Sequence, residues 1–304
     1  MTLRRLVAAL GGDLYAGGAR ANVPAPGHSP ADRSVSLRLV GDRVLIHGFG
    51  AADWRAVRDQ LHGLGLVDRA GRLTPGAGGR AGRRCAPEPG PDRAARLATA
   101  RRLWDEAVPI GPASLSARHL AVRAIGLDPG SIEALRHHPA APVSVYREGP
   151  TRRPALLAAI RDPAGGLTAV ELVYLAPGGG PDRRLRLPRK TVGALPPGSA
   201  VRLWPVAHTL VVGEGVMSVL SACQTLGQAG WALLSARNLA AWTPPREARR
   251  VLIAADRGGP GEAAAATLAA RLRALRLSVS IRLPPGGCED WNAHAVAQRR
   301  KEGG

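Results

Sequence analysis

Three acidic positions in the second half of the chain have the types and spacing of a metal-dependent site. Glu214 follows the apolar run HTLVVG, Asp256 follows RRVLIAA, and Asp290 lies in the loop PPGGCEDWN. Carboxylate oxygens suit Mg²⁺, which takes one or two of them and completes its octahedral shell with phosphate and water. A glutamate beside such an ion can exchange protons if its surroundings raise its pKa. These residues therefore favour chemistry on phosphate groups.

The elements around these residues predict that they share one edge of a sheet. The apolar runs HTLVVG, GWALLSA, RRVLIAA and SVSIRL alternate with helical patterns over residues 216–228 and in GEAAAATLAARLRALR. Such alternation predicts a parallel sheet with right-handed crossovers, and chemistry gathers at the carboxyl ends of its strands. We therefore expect Glu214, Asp256 and Asp290 to converge. The alternative is local: Glu214 stabilises a helix N-terminus, and Asp256 caps the turn before the next helix.

The motifs VVGEGVMSVLSA, VLIAADRGGPGEAAA and PPGGCEDWN give residues 208–296 a resemblance to the Toprim domain. This is the catalytic module shared by bacterial-type primases, topoisomerases and certain nucleases. Through RRLWDEAVPI, LRHHP and RKTVGALPPGSAVRL, the whole chain resembles the primase-like Toprim proteins of plasmids, phages and bacterial genomes. The resemblance implies an α/β fold: a C-terminal Toprim domain with a parallel central sheet flanked by helices. An α+β middle region and a small zinc-ribbon-like N-terminal unit that lacks its ligands would precede it.

Four regions follow from this resemblance and from composition. We predict a degenerate zinc-binding-like unit over residues 1–67 and a flexible basic linker over 68–93, which is rich in Gly, Pro and Arg. The primase-like middle region would span 94–205 and the Toprim domain 206–304. Within the first region the runs SVSLRL and RVLIHGF predict a hairpin that turns at Gly41 and Asp42, and Asp53 is a candidate helix N-cap.

The resemblance also implies roles for individual residues. Glu214 takes the place of the general acid or base, Asp256 is the first metal ligand, and Asp290 lies in the terminal acidic motif as a second ligand. The second aspartate of the DxD motif falls on Gly258, which carries no ligand atom in a side chain. We therefore predict a weak site for Mg²⁺ or Mn²⁺. Three further residues are candidate auxiliary ligands: Glu262, Glu289 and Asn292.

The N-terminal region resembles a primase zinc-binding region without its cysteines. Asn22, Pro24, Gly48 and Ala52 occupy that neighbourhood, and only two histidines, His28 and His47, could ligate. Structural zinc usually takes four N or S ligands, so we predict no zinc here. The segment PGHSPADRS, with His28, Asp32, Arg33 and Ser34, is either a phosphate contact or a plain loop.

A basic segment precedes the Toprim motifs and is a candidate for binding nucleic acid. In primase-like proteins this region is expected to hold template or nucleotide, whereas the alternative is a solvated hairpin face. The run RRLRLPRKTVGALPPGSAVRLW is basic and strand-like, and we expect Arg189, Lys190 and Gly193 to lie on a turn within it. The candidate phosphate-binding residues are Arg183, Arg184, Arg186, Arg189, Lys190 and, beside the DxD motif, Arg257.

Composition favours a polyanionic partner. The net charge is +19 over 304 residues, and only two of the 42 basic residues are lysine. Some of this arginine reflects a GC-rich coding sequence, but a strongly basic chain attracts nucleic acid at long range. Aromatic residues make up only 3% of the chain, so no stacking platform for single strands is indicated. Without a CxxC pair, a signal peptide or an apolar run of membrane length, we expect a cytoplasmic protein without a membrane partner.

Three functions remain open on these grounds. The first is a primase-type nucleotidyltransferase that acts on single-stranded DNA with nucleoside triphosphates and Mg²⁺. The second is an accessory replication or mobile-element protein that keeps the fold and DNA affinity without the chemistry, as the missing second aspartate favours. The third, less favoured, is a Toprim nuclease. No GxxxxGK[ST] motif is present, so a replicative helicase would be a separate partner.

Overall fold

The computed structural model describes residues 2–28, 32–48, 53–74, 91–147 and 149–302. The chain divides into two units, residues 1–90 and 91–304. The α-helices are α1 Arg4–Leu10, α2 Trp54–Gly63, α3 Arg93–Asp105, α4 Leu115–Val122, α5 Val216–Leu226, α6 Ala236–Ala241, α7 Gly259–Ala274 and α8 Trp291–Glu302. The strands are β1 Asp13–Tyr15, β2 Arg20–Val23, β3 Val35–Val40, β4 Arg43–Gly48, β5 Leu135–Pro142, β6 Arg152–Arg161, β7 Leu167–Tyr174, β8 Arg189–Gly193, β9 Val201–Arg202, β10 Thr209–Gly213, β11 Gly230–Ala232, β12 Arg250–Ala254 and β13 Ser278–Arg282.

The N-terminal unit is an antiparallel sheet in the order β1-β2-β3-β4. The predicted hairpin is confirmed, because β3 and β4 pair antiparallel on either side of the turn at Gly41 and Asp42. The N-cap at Asp53 is also confirmed, since its side chain accepts a 2.8 Å hydrogen bond from the Arg55 amide. The strands β1 and β2 were not predicted, because three or four residues carry too little alternation to show. Apolar side chains from α1, α2 and the sheet form a core inside this unit.

Part of the predicted flexible linker belongs to the N-terminal unit. Residues 68–74 turn back on it: Arg72 bridges to Arg43, Leu73 bridges to Val67, and the Leu73 side chain is buried. Residues 75–90 lie outside the described residues. The predicted helix near residue 94 begins at Arg93, where Asp92 caps it by accepting from the Ala95 amide at 2.7 Å. The division into four regions stays a prediction.

The middle region is α+β, with an antiparallel sheet in the order β5-β6-β7-β8. Helices α3 and α4 pack against this sheet. The prediction that Arg189, Lys190 and Gly193 lie on a turn is wrong. They form β8, which pairs with β7 so that Val173 lies opposite Arg189. The edge position explains the basic composition, because one side of the strand faces no neighbour within this sheet.

The C-terminal sheet has the predicted α/β architecture. Its order is β13-β12-β10-β11-β9, and the four strands other than β9 are parallel. The short β9 runs antiparallel to β11 at one edge. Crossover helices α5 and α7 bury apolar stripes, and α5 lies in a core shared with the middle region. In the part of the chain that the structure describes, no helix is long and apolar enough to cross a membrane.

Candidate active site

The first two acidic residues stand next to each other because their strands are parallel neighbours. Gly213, the last residue of β10, lies opposite Ala254, the last residue of β12. Glu214 and Asp256 follow these strand ends at the same edge of the sheet. Glycine is needed at the close contacts: a Cβ on Gly213 would lie 2.7 Å from the Ala254 carbonyl oxygen, and one on Gly261 would lie 2.9 Å from the Asp256 carbonyl oxygen.

The pKa values of both carboxyl groups are raised. Burial raises the pKa of Glu214 most, the charge of Asp256 raises it further, and a hydrogen bond from the Ala236 amide opposes the rise. Burial also raises the pKa of Asp256, against the hydrogen bond from Ser218, and the charge of Asp290 adds to the rise. Mutual influence of this kind requires proximity. Glu214 therefore lies near Asp256, and Asp256 lies near Asp290, while the catalytic and metal-binding roles of the three stay predictions.

Local hydrogen bonds hold two of these carboxylates in place. The Ser218 hydroxyl, in the first turn of α5, donates to Oδ1 of Asp256 at 2.6 Å. Oδ1 of Asp290 accepts from the Ala293 amide at 2.6 Å, so this residue also caps α8. In each case the bonds that the structure gives use one carboxylate oxygen and leave the other for a ligand.

Gly258, at the position of the second DxD aspartate, has a backbone that side chains rarely adopt. Its φ is +115° and its ψ is 152°, and it is exposed, with nothing within 4 Å of an added Cβ. The nearby candidate Glu262 turns back to this residue, where its Oε1 accepts from the Gly258 amide at 3.1 Å. The Glu289 side chain is exposed, and its carbonyl oxygen accepts from the Arg257 amide at 2.7 Å. The auxiliary ligand roles of Glu262 and Glu289 stay predictions.

A cavity of about 310 Å³ opens at this edge and is lined by Asp256, Asp290 and Ser218. Asn292 also lines it, but its amide is already engaged: Oδ1 accepts from Arg123 at 2.9 Å, and Nδ2 donates to the Arg123 carbonyl and to Ser221. Asn292 thereby connects α4, α5 and α8. Its proposed role as an auxiliary ligand stays a prediction.

The middle region supplies positive charge to the same cavity. Arg123 and Arg189 line it, and Nη2 of Arg189 donates to the buried carboxylate of Glu171 at 2.6 Å. This ion pair holds the guanidinium on a rigid strand while its side chain stays exposed. Arg123 was not predicted, because nothing in the helical segment after Leu115 marks one arginine as closer to the carboxylates than another.

Comparison with protein families gives two matches. A family described as a domain of unknown function, DUF7146, matches residues 94–203, and the Toprim domain family matches residues 209–300. The chain contains a Toprim domain. This confirms the resemblance that the three acidic motifs indicate, and the Toprim domain accounts for the sheet edge at which those motifs meet. A search of curated protein sequences gave no match.

Several solved primase structures are similar to the chain at low identity. The primase fragment of the bacteriophage T7 primase-helicase is 17% identical, covers 59% of this chain and 69% of its own, and has a TM-score of 0.42. The zinc-binding and RNA polymerase domains of Aquifex aeolicus primase are 14% identical over 99% and 82%, with a TM-score of 0.42. The RNA polymerase domain of Mycobacterium tuberculosis primase is 16% identical over 68% and 81%, with a TM-score of 0.40.

The Toprim family generally binds Mg²⁺, and the residues present here fit such a site with fewer carboxylate ligands. Among the described residues no three His, Cys, Asp or Glu side chains are grouped so as to hold a metal ion. Asp256 and Asp290 nevertheless line one cavity, and each keeps a carboxylate oxygen that accepts no hydrogen bond in the structure. Mg²⁺ commonly takes two carboxylates and completes its shell with water and substrate phosphate. The residues present therefore fit an ion that binds together with a phosphate.

The other predicted phosphate-binding residues differ in their contacts. Arg184 forms a two-point pair with the buried Asp182, at 2.8 and 3.1 Å, and Lys190 donates to the Val143 carbonyl at 2.5 Å. Burial, followed by the charge of Arg186, lowers the pKa of Lys190. Arg183 is exposed. Arg257 donates to the Pro284 carbonyl at 3.0 Å and so braces the loop before Asp290.

The N-terminal candidates belong to a unit of their own. His28 pairs with Asp32 at 3.1 Å, and Arg33 pairs with Asp13 at 2.9 Å. Burial disfavours the charged form of Asp32, but hydrogen bonds from Ser34 and Ala25 outweigh it and lower the pKa. His47 lies in β4. Part of the PGHSPADRS segment and Ala52 lie outside the described residues, and the absence of zinc stays a prediction.

Proposed function

We propose that this chain is a primase-like protein of DNA replication that synthesises RNA primers on single-stranded DNA with Mg²⁺ or Mn²⁺. The observation that carries the proposal is the proximity of three carboxylates at this sheet edge. Asp256 and Asp290 line one cavity, Glu214 lies beside Asp256, and burial and neighbouring charge raise the pKa values of Glu214 and Asp256. The substrates would be the template strand and nucleoside triphosphates. Any helicase would be a separate chain.

The reaction joins the 3′-hydroxyl of one nucleotide to the α-phosphate of the next and releases pyrophosphate. Glu214, whose pKa is raised by burial and by the charge of Asp256, would accept the proton that the attacking hydroxyl loses. Asp256 and Asp290 would hold the metal ion, which neutralises phosphate charge and aligns the reacting oxygens when bound. Arg189 and Arg123 would bind the phosphates, because guanidinium groups donate paired hydrogen bonds to such oxygens.

A second candidate function has a specific observation in its favour. Gly258 removes one ligand, and the described residues contain no group of three metal-binding side chains. The protein would then bind DNA as an accessory replication or mobile-element protein without catalysing nucleotidyl transfer. A Toprim nuclease is the third and least favoured candidate, since no observation specifically supports it.

Primer synthesis on single-stranded DNA separates these functions. The full chain should extend labelled nucleoside triphosphates into short RNA in the presence of Mg²⁺ or Mn²⁺. Glu214→Gln should lower the rate by about 10²–10⁴-fold, the usual contribution of a general acid or base, while template affinity is retained. Glu302→Gln is the control, because it replaces an exposed glutamate of the same domain that does not line this cavity.

Each result points to one candidate. Synthesis that disappears in Glu214→Gln supports the enzyme. DNA binding without synthesis in both proteins supports the accessory protein and overturns the proposal, and shortened template supports a nuclease. Chelation of the metal should abolish synthesis and leave most of the DNA affinity, since that affinity depends on arginines and not on the carboxylates.

A further inference from the structure

A second cavity, larger than the first, lies at the β9–β11 edge of the Toprim sheet. Its volume is about 920 Å³, and it shares no lining residue with the cavity at Asp256. The lining comes from the end of β6, from β9 and the segment after it, from β11, and from the segment between α6 and β12. The proposed function makes no use of this cavity.

Aromatic side chains are concentrated here. Trp204, Trp231 and Trp242 all line the cavity, which is half of the six tryptophans in a chain that is only 3% aromatic. Trp231 and Trp242 pack edge to face with their ring centres 6.3 Å apart, and Trp231 Nε1 donates to the Trp204 carbonyl at 2.9 Å. Trp204 itself is only half-buried: it packs against the neighbouring core and keeps part of its surface exposed. The overall scarcity of aromatic residues hides this local cluster.

Two arginines stand beside the tryptophans without a carboxylate partner in the described structure. The Arg202 guanidinium lies over the Trp231 ring at 4.8 Å, and its Nη2 donates to the carbonyl oxygens of Asp162 and Pro163 at 2.7 and 2.9 Å. Arg161 donates through Nη1 to the Gly165 carbonyl at 3.0 Å. The structure gives neither arginine an ion pair. Both guanidiniums keep further N–H donors, although Nε of Arg202 is buried. Burial and the charge of Arg161 lower the pKa of Arg202, and the charge of Asp162 opposes this shift.

The walls of the cavity are stiff. Five of its lining residues are prolines, whose rings fix the backbone φ: Pro163, Pro197, Pro205, Pro244 and Pro245. A preformed site loses less conformational entropy when it binds a ligand than a mobile one does. Two exposed carboxylates, Glu133 and Glu247, also line the cavity and can accept hydrogen bonds from ribose hydroxyls or base N–H groups.

From these features we infer that the second cavity binds a nucleotide, with its base stacked on Trp204 and its phosphate on Arg161 and Arg202. Base stacking on an aromatic ring beside arginine is the usual way in which proteins hold single-stranded nucleic acid without reading its sequence. A bound anion would reduce the repulsion between two neighbouring guanidiniums that form no ion pair in the described structure, and phosphate oxygens match their planar N–H donors. The nucleotide is either part of a single strand or a free molecule.

Binding is measured in the full-length Glu214→Gln, Asp256→Asn chain, so that the result does not depend on the proposed catalysis. The probes are an oligothymidylate of about eight nucleotides and thymidine monophosphate, with quenching of tryptophan fluorescence as the readout. Trp204→Leu should weaken binding at least about tenfold and remove part of the quenching, because leucine fills space without stacking. Trp204→Phe should retain most of the affinity.

Arg161→Gln should weaken binding by a similar factor, whereas Arg101→Gln removes an exposed charge from α3, outside the cavity, and should have little effect. Binding of the oligonucleotide alone identifies the ligand as a strand, and binding of the monophosphate as well identifies a free nucleotide. Equal losses in Trp204→Leu and Trp204→Phe, or unchanged affinity in Trp204→Leu and Arg161→Gln, would overturn the inference.

A measurement on the unmodified chain covers variants that fail to fold. An oligonucleotide that carries a photoreactive 5-iodouracil should crosslink to the peptide that contains Trp204, and excess thymidine oligonucleotide should compete. Crosslinks confined to segments that do not contain Trp204 would contradict the assignment of this cavity to a nucleotide.

Discussion

The hydroxyl of Ser218 donates a 2.6 Å hydrogen bond to Oδ1 of Asp256, 38 positions away in the sequence. Ser218 lies in the first turn of α5 and is buried, while Asp256 follows β12. The bond lowers the pKa of Asp256 against the larger effect of burial. It therefore favours the ionised carboxylate that a metal ion requires and fixes which oxygen remains available.

Loss of this hydroxyl should lower the rate of primer synthesis more than the stability of the folded chain. A hydrogen bond to a charged group contributes about 1.5–3 kcal/mol, so we expect Ser218→Ala to lower kcat/KM for primer synthesis by roughly tenfold or more, with a higher Mg²⁺ requirement. Ser218→Thr keeps a hydroxyl and should recover much of the rate. Thr225→Ala removes a hydroxyl from the same helix that bonds the Ser221 carbonyl and lies outside the cavity, and a loss as large as that of Ser218→Ala would contradict this role.

Gly258 should resist replacement by the aspartate that the DxD motif would have. Its φ of +115° is unfavourable for any residue with a Cβ, and such strain costs on the order of 1–3 kcal/mol. We expect Gly258→Asp and Gly258→Ala to lower the free energy of unfolding by that amount, measured by urea denaturation. Gly259→Ala is the control, because Gly259 has no left-handed φ and an added Cβ meets nothing within 4 Å.

The gain in metal affinity from Gly258→Asp should be small for the same reason. The new carboxylate would extend from a backbone that must first rearrange, and the rearrangement also disturbs the hydrogen bond from the Gly258 amide to Glu262. Calorimetric titration with Mg²⁺ measures this directly. A large increase in affinity with unchanged stability would show that the loop accepts an aspartate without strain.

The convergence of the acidic residues could be predicted because it depends on strand order alone. Parallel neighbours end at the same edge, so Glu214 and Asp256 meet whatever their side chains do. The bond from Ser218 and the cluster of Trp204 with Trp231 could not be predicted, since both depend on distances between segments far apart in the sequence. Helix α8 was missed because it buries few apolar residues and its surface is polar.

The turn predicted at Arg189 failed for a related reason. The run around it is strand-like, but Arg189 and Lys190 are adjacent charged residues without alternation, and the sequence does not distinguish such a pair on an edge strand from a turn. Only the pairing with β7 shows that Arg189 is held on regular backbone, where Glu171 can fix its side chain.

Neighbouring arginines of the middle region should contribute unequally to DNA binding. Arg183 is exposed, whereas Arg184 is bound at two points by the buried Asp182. Each phosphate contact adds about 0.7 to the slope of log affinity against log salt for single strands. If Arg183 contacts the strand, Arg183→Gln should reduce the slope by about that amount. Arg184→Gln should change it less, because its charge is already compensated.

A salt titration of oligonucleotide binding, followed by fluorescence anisotropy, measures both slopes. Arg101→Gln, in α3, serves as the control for a general loss of charge. If Arg183→Gln and the unsubstituted chain give the same slope, Arg183 does not contact the strand. The result would then favour the alternative that the basic segment is a solvated face.

Acid should destabilise the protein through a buried histidine in the middle region. Burial lowers the pKa of His119 below 6.5, a hydrogen bond to the Gly179 carbonyl opposes the shift, and the charge of Arg123 adds to it. Because a carbonyl only accepts, Nδ1 of the neutral ring carries the proton in the 2.6 Å contact with Gly179. The native chain therefore keeps a neutral ring at a pH where the unfolded chain already takes up a proton.

The resulting stabilisation is complete above about pH 6.5 and is lost as the pH falls further, by at most about 1.4 kcal/mol per pH unit for each such group. The pKa values of His137 and His138 are lowered in the same direction. Urea denaturation should show that the free energy of unfolding falls between pH 7.5 and pH 5.5. In His119→Gln the slope of this free energy against pH should be smaller by the contribution of one proton. The exposed His208, replaced in the same way, should leave the dependence unchanged. A dependence in His119→Gln that is as steep as in the unsubstituted chain would mean that the His119 ring is protonated equally in both states.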